Sequence, residues 1–477
     1  MDLAEHMYIM DNSKLKGKDL NKINFTSDQA KSMAIDIMSK YFKHTDKEEK
    51  LTLLEQVFIN PEAYLEHPQL SRLAEVLFES PEEPQGTSYA LNALPEDYKI
   101  FGKQFITENT IKQMDTAMRL PITVKGALMP DAHSGYGLPI GGVLATENAV
   151  IPFGVGLDIG CRMSLSLYDV PADFIKHNHY QVKIALKEQT HFGIGTKQDT
   201  YEAHEVLDRP EFREIGILKK LHGKAKSQIG TSGSGNHFVE VGVVELDEQN
   251  KFQMPAGQYV GILAHSGSRG LGAGIANHYT SIAIEKCWLP QGAKHLAWLD
   301  LDSEEGQEYW LAMNLAGDYA KACHDVIHRK MAKALGIRPV AKVENHHNFA
   351  WKEKQPDGRE LIVHRKGATP AQEGVLGIIP ANMCDPGYIV SGKGNDFSLN
   401  SASHGAGRKM SRNMVKQSIT GSEVQKQLRQ MGITLIGGGI DEAPLGYKNM
   451  EEVMNSQKDL VKIEGTFYPK IVRMDRG

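Results

Sequence analysis

Cysteine is scarce. The 477 residues hold four, Cys161, Cys287, Cys323 and Cys384, all far apart. That spacing excludes a disulfide framework and a CxxC zinc site, and it suits a reducing compartment. Long hydrophobic runs are missing, and no stretch approaches the roughly 18 apolar residues of a membrane span. There is no surplus of positive charge either. Lys and Arg number 54 against 59 Asp and Glu, a net charge of −5, so any nucleic acid must be met by local basic patches. No GxxxxGK[ST] phosphate loop, internal repeat or low-complexity tract occurs. The start, Met1-Asp2-Leu3-Ala4-Glu5-His6, is acidic and unlike a secretory signal. A cytoplasmic protein is expected.

What is present points to an ordinary globular chain, 41% apolar and 24% charged, which can bury a sizeable core. Its length suits about three domains or one large α/β unit. Residues 1–84 are expected to form a mostly helical segment packed on the core. Thr26-Ser27-Asp28-Gln29 has the pattern of a capping box, ahead of Ala30, Met33, Ala34, Ile37, Met38 and Tyr41 at helical spacing. Thr45-Asp46-Lys47-Glu48 opens a second helix carrying Leu51, Leu54 and Phe58, and a third runs near Leu70 to Leu77. Ser80-Pro81-Glu82-Glu83-Pro84-Gln85-Gly86 reads as a linker. Residues 85–477 change character. Short apolar runs at 122–124, 143–145, 164–167, 361–363 and 376–379 read as strands, and one long helix spans Glu304 to Leu335. The fold class is α/β (α+β), with a central sheet and surrounding helices.

The unusual polar residues lie in glycine-rich segments expected to be tight turns. They are Met129-Pro130-Asp131-Ala132-His133-Ser134-Gly135-Tyr136-Gly137, Gly154 to Cys161 with Asp158, and Gly233-Ser234-Gly235-Asn236-His237-Phe238-Val239-Glu240. Ala264-His265-Ser266-Gly267-Ser268-Arg269-Gly270, Asn345-His346-His347-Asn348 and Ser401 to Arg412 complete the set. An Asp, a Cys and several His in separate turns form a candidate metal constellation. Imidazole suits Zn, Cu, Fe and Ni; carboxylate suits Mg and Mn. Asp158 and Cys161 are three residues apart, and a thiolate can bridge two ions. Five ligands exceed the four of a closed zinc site, which favours a two-metal centre of the kind used in phosphoryl chemistry. Each residue also has a plain structural explanation: a hydrogen-bonded turn histidine, a cysteine filling the core, an aspartate bracing its own turn. In the last segment His404 precedes Gly405, Ala406 and Gly407, which let a bulky ligand approach the backbone. Arg408 and Arg412 are expected on one helical face, with forks suited to phosphate. That makes His404 a candidate nucleophile or acid–base group beside a phosphate; the alternative is a glycine-rich turn entering a basic, solvated helix.

These six segments, in this order, resemble the motifs of the RtcB family of RNA-splicing ligases from about residue 98 to about 450. The resemblance implies a GTP- and Mn²⁺-dependent enzyme in tRNA splicing or RNA repair. Such an enzyme joins RNA 3′-phosphate or 2′,3′-cyclic phosphate ends to 5′-hydroxyl ends. It implies that His404 takes GMP from GTP, and that Asp158, Cys161, His237, His265 and His347 (His346 as the fallback) hold two manganese ions. It assigns the guanine-nucleotide pocket to Asn236, Phe238, Glu240, Asn348, Gly405, Ala406 and Gly407, completed by Pro380-Ala381-Asn382-Met383. Asp131 would orient His404, and Arg408 and Arg412 would hold RNA or nucleotide phosphates. The chain departs from the family pattern at Arg162, where glycine is usual, in the 381–387 loop, and near its end. There a lysine touching guanine is replaced, with Met474 nearest that place. Those departures motivate a second expectation, a metal-dependent RNA phosphohydrolase or cyclic phosphodiesterase; a non-catalytic RNA-binding protein is a third.

Overall fold

In the computed structural model the side chain of Ser27 accepts from the amide of Ala30 and opens a helix over Asp28–Tyr41. Asp46 does the same for Lys47–Ile59 through the amide of Glu49, at 2.8 Å. The first cap is thus Ser27. Thr26, where a capping box was expected, lies outside the described residues. A third helix, Ser71–Glu79, joins these two around a core that includes Leu20, Phe25, Ala34, Met38, Leu54 and Leu73. The structure describes residues 15–475 apart from 21, 22, 24, 26, 44, 80–85, 194 and 199, so the start Met1 to His6 and nearly all of the expected linker fall outside it. The chain divides into two compact units, Met1–Thr87 and Ser88–Gly477.

The second unit is mixed α/β, built on two large sheets. Strands in the larger one run in the spatial order Pro339–His346, Arg162–Tyr168, Gly257–Ser266, Phe238–Leu246, Val461–Met474, Gly387–Gly392 and Leu376–Ile379. Thr434–Ile436 adds in parallel to Val461–Met474. The smaller sheet has the order Asn348–Lys354, Glu360–Lys366, Ile140–Thr146, Thr123–His133 and Tyr98–Ile100. Alternation of apolar side chains packs Val239, Val241, Ile262 and Ala264 on one face of the larger sheet, and Met163, Leu165, Leu167 and Leu263 on the other. The long helix covers Glu304–Leu335 as its periodicity indicates. Ser303 caps its start, and Gly336, at φ +65°, ends it in the left-handed conformation that glycine adopts freely. Among the described residues no helix is long and apolar enough to cross a membrane.

The antiparallel register brings four strand ends together. His346 pairs with Arg162, Arg162 with Ser266, and Phe238 with His265. Two of these strands start, and two finish, at the same end of the sheet. Cys161, His237, His265 and His347, each at or beside one of those ends, are therefore neighbours despite wide separation in sequence.

Candidate active site

The expectation that every polar motif forms a turn is corrected by the strands. Asp131 and His133 belong to Thr123–His133, Glu240 to Phe238–Leu246, and His265 to Gly257–Ser266. Asp131 and Pro130 fall where the pairing with Ile140–Thr146 shifts register, between Leu128 and His133. A break in the ladder is where proline, which has no N–H, can sit in a strand, and where a side chain can be re-aimed.

The sulfur of Cys161 lies 3.1 Å from His265 Nε2 and 3.4 Å from His237 Nε2. His265 Nε2 is 3.3 Å from His347 Nε2, and His237 Nε2 is 3.0 Å from Asp158 Oδ2. Cys161, His237 and His265 are buried and close enough to hold one ion. The other ring nitrogens are already committed: His237 Nδ1 to the Ser232 carbonyl at 2.7 Å and His265 Nδ1 to the Asn236 carbonyl at 3.1 Å. A carbonyl can only accept, so Nδ1 carries the proton and Nε2 turns its lone pair toward the cluster, as a metal ligand does. Burial holds the His265 imidazole down to about 3 and the His347 imidazole well below its ordinary value, so both are neutral donors. The Cys161 thiol, by contrast, is pushed well up by burial and by the Asp158 carboxylate. A bound cation would reverse that sign and favour the thiolate. The Asp158 carboxyl sits at about 2, below its ordinary value despite the cost of burial, with His237 the chief neighbour that lowers it. Five converging N, O and S donors and a thiol short of positive charge fit a metal centre. Close packing leaves no slack: a Cβ on Gly267 would meet Asp158 Oδ1 at 2.0 Å. Of the two adjacent histidines, His347 faces the cluster. His346 stacks on Phe349 and its Nδ1 meets Arg162 Nη2 at 3.1 Å.

Beside this cluster, His404 follows the strand Ser401–Ser403. Its Nδ1 is 2.7 Å from Oδ2 of the fully buried Asp131, and the same oxygen accepts from the amides of His404 (3.1 Å) and Gly405 (3.2 Å). Burial alone would raise the Asp131 carboxyl, but His404 and then Lys448 outweigh it, and the group sits below its usual value. A carboxylate at Nδ1 fixes the proton there and leaves the lone pair on His404 Nε2. Gly407, at φ +71°, brings its Cα so close to Asp131 that a Cβ would lie 2.0 Å from its carbonyl oxygen. The His404 ring centroid is 5.0 Å from that of His347.

A cavity of roughly 700 Å³ opens over both groups. Asn236, Phe238, Glu240, His265, His347, Pro380 to Met383, His404 to Gly407, Arg408 and Arg412 all line it. Asn348 does not. Its amide donates to the Asp158 carbonyl (3.4 Å) and accepts from Gly367 (2.9 Å), bracing the Asp158 turn instead. The Asn382 side chain orders its own loop by accepting from the amides of Cys384 and Asp385. Met474, the residue nearest the missing lysine, does line the cavity. Burial raises the Glu240 carboxyl to about 8.

The shared helical face expected for Arg408 and Arg412 is not formed. Ser411 caps a helix that begins only at Arg412, and Arg408 lies before it in a bridge to Tyr447. They converge in another way. Arg408 Nη2 donates to the Asp441 carbonyl (2.7 Å) and Nη1 pairs with Glu442 (3.3 Å), while Arg412 Nη1 pairs with Asp441 (2.6 Å) and with Glu442. Sequence reasoning missed Glu442, Tyr447 and Lys448, all of which line the cavity. Lys448 Nζ donates to the carbonyls of Pro130 (3.2 Å) and Ala132 (2.6 Å), either side of Asp131. No local signal marks them, because their partners lie far away in sequence.

A family model described as tRNA-splicing ligase RtcB matches residues 113–215 and 211–474. The chain belongs to the RtcB family. It is 31% identical over 381 residues to the RNA-splicing ligase RtcB of Escherichia coli K12, covering 74% of this chain and 90% of the relative. To the tRNA-splicing ligase RtcB of Nanoarchaeum equitans it is 31% identical over 439 residues, covering 76% and 91%. For that of Archaeoglobus fulgidus the figures are 30% over 425 residues, 74% and 88%. The RtcB match spans both the Cys161–His237–His265 cluster and the His404–Asp131 pair.

Proposed function

We propose that this RtcB-family chain is a GTP- and manganese-dependent RNA ligase. It joins RNA 3′-phosphate or 2′,3′-cyclic phosphate ends to 5′-hydroxyl ends. The observation that carries this reading is the pairing of His404 Nδ1 with buried Asp131 at 2.7 Å, which leaves Nε2 on the far side of the ring, beside a cluster of metal-type donors.

Asp158, Cys161, His237, His265 and His347 would hold two manganese ions, which supply positive charge to neutralise phosphate oxygens and the leaving group. The chain's own residues do the rest. His404 Nε2 attacks the α-phosphorus of GTP; a P–N bond forms, and the bond to pyrophosphate breaks. Asp131 keeps the imidazole oriented and stabilises the positive charge that develops on the ring. An oxygen of the RNA 3′-phosphate next attacks the guanylyl phosphorus, the P–N bond breaks, and the electron pair returns to Nε2. The product, RNA(3′)pp(5′)G, is an activated end. The 5′-hydroxyl oxygen then attacks the RNA phosphorus, loses its proton and displaces GMP. Asn236, Phe238 and Glu240, with the loop at 380–383 and the small residues Gly405, Ala406 and Gly407, would enclose the nucleotide. Arg408 and Arg412 would exchange Asp441 and Glu442 for phosphate.

The reading is tested by incubating a 3′-phosphate RNA and a 5′-hydroxyl RNA with the protein, Mn²⁺ and GTP. Joined product that requires both additions is expected. Phosphate release or ring opening without GTP, and without joining, would favour a phosphohydrolase instead.

A further inference from the structure

The cavity is lined by buried residues, among them Glu240, Met383 and Met474, and by exposed ones, Tyr136, Lys409, Ser411 and Arg412. A mononucleotide can occupy its buried part. An RNA strand is too long to be enclosed and must pass the exposed residues. Tyr136 is the large aromatic among them, with 37% of its surface accessible.

The loop that carries Tyr136 is held from several directions. Gln113 grips Gly135, donating to its carbonyl at 2.5 Å and accepting from its amide at 3.0 Å. Asn109 and Thr110 meet the Ser134 hydroxyl at 3.1 and 3.2 Å. The buried Lys366 Nζ donates to the carbonyl of Tyr136 itself at 2.6 Å and to that of Phe153 at 3.1 Å. Gly137, at φ +65°, packs so tightly that a Cβ would lie 2.9 Å from the His295 carbonyl oxygen. A backbone pinned this firmly holds Tyr136 in the wall of the cavity, with part of its surface accessible. Cationic Lys409 and Arg412 line the same cavity. An accessible aromatic residue and cations lining one cavity are the combination that binds single-stranded RNA, through base stacking and phosphate attraction. The loop also follows directly on the strand that carries Asp131, which anchors His404, and Tyr136 and His404 line the same cavity, where an RNA 3′-phosphate must receive GMP.

We infer that Tyr136 is a stacking platform for the terminal base of the RNA strand that carries the 3′-phosphate. The inference rests on the guanylyl-transfer reading above and adds the residue that positions the RNA end. Tyr136→Ala and Tyr136→Phe are compared with the unaltered protein, each first scored for GMP bound to His404, a step that needs no RNA. KM and kcat are then measured for conversion of a 3′-phosphate oligonucleotide to RNA(3′)pp(5′)G. Tyr136→Ala is expected to carry the His404 label and to raise KM about fivefold or more, the loss of one stacked base, with a smaller change in kcat. Tyr136→Phe keeps the ring and is expected to keep KM within about twofold. An unchanged KM in Tyr136→Ala overturns the inference. So does a Phe variant as poor as Ala, a KM change confined to the 5′-hydroxyl strand, or loss of the His404 label in the Ala variant. Absence of the label in the unaltered protein overturns the ligase reading, and this one with it.

Discussion

His404 depends on a single oxygen. Asp131 Oδ2 accepts from Nδ1 and from two backbone amides, so one buried carboxylate sets the ring's tautomer, its orientation and the turn that carries it. Asp131→Asn keeps the size but removes the charge, and an amide can donate to Nδ1 and so reverse the tautomer. Guanylylation should slow by about a hundredfold or more, while the fold, followed by circular dichroism, stays intact. Glu240 gives a second test. Its carboxyl sits at about 8 in the folded protein against an ordinary value of 4.5, because burial penalises the anion. Between those two values the folded state binds the extra proton, so the group's contribution to stability falls as pH rises through that window. A guanine edge offering N–H donors requires the anion. GTP affinity should therefore rise with pH up to about 8 and level off above it, and Glu240→Gln should flatten the profile in a binding titration. A profile unchanged in Glu240→Gln would remove Glu240 from base recognition.

At the scale of elements, the candidate metal donors hang on strand ends and tight turns rather than on one helix. Gly267 shows how little room the turn after His265 leaves, with the Asp158 carboxylate at 2.0 Å from any Cβ. Gly267→Ala should displace Asp158 and lower the manganese bound per chain, measured by elemental analysis after gel filtration, with the melting temperature little changed. A variant that keeps its full metal content would show that Asp158 is not a ligand. Much of this level was legible in the sequence. The helix over Glu304–Leu335 announced itself through its length and its periodicity. The short β-branched runs became strands. What could not be read was which segments leave the ladder. Asp131 and His265 look like turn residues because glycine or proline lies close by, yet Asp131 sits in the strand Thr123–His133 at a break in its pairing, and His265 is kept extended by pairing with Met163 and Phe238. Arg408 and Arg412 have helical spacing, but a cap at Ser411 starts the helix between them. Lys448 and Glu442 could not be read at all, since they act on residues far off in sequence.

At the scale of the whole molecule, the chain forms two compact units. Among the described residues the apolar core of Met1–Thr87 is made from its own residues, and the RtcB match begins at residue 113. A chain starting at Ser88 should fold and take up GMP at a rate within about threefold of the full chain, as expected for a domain with its own core. A truncated chain that is soluble but inert would place the first unit in the catalytic machinery. Within Ser88–Gly477 the candidate site draws on residues from Asp131 to Lys448, so it exists only once both large sheets have formed. The central claim is that His404 is the nucleophile. It is tested most directly by incubating the protein and His404→Ala with α-³²P-labelled GTP and Mn²⁺, followed by a denaturing gel. An acid-labile label on the unaltered chain and none on His404→Ala is the expected result. Equal labelling of both chains, or none on the metal-loaded unaltered chain, would contradict it.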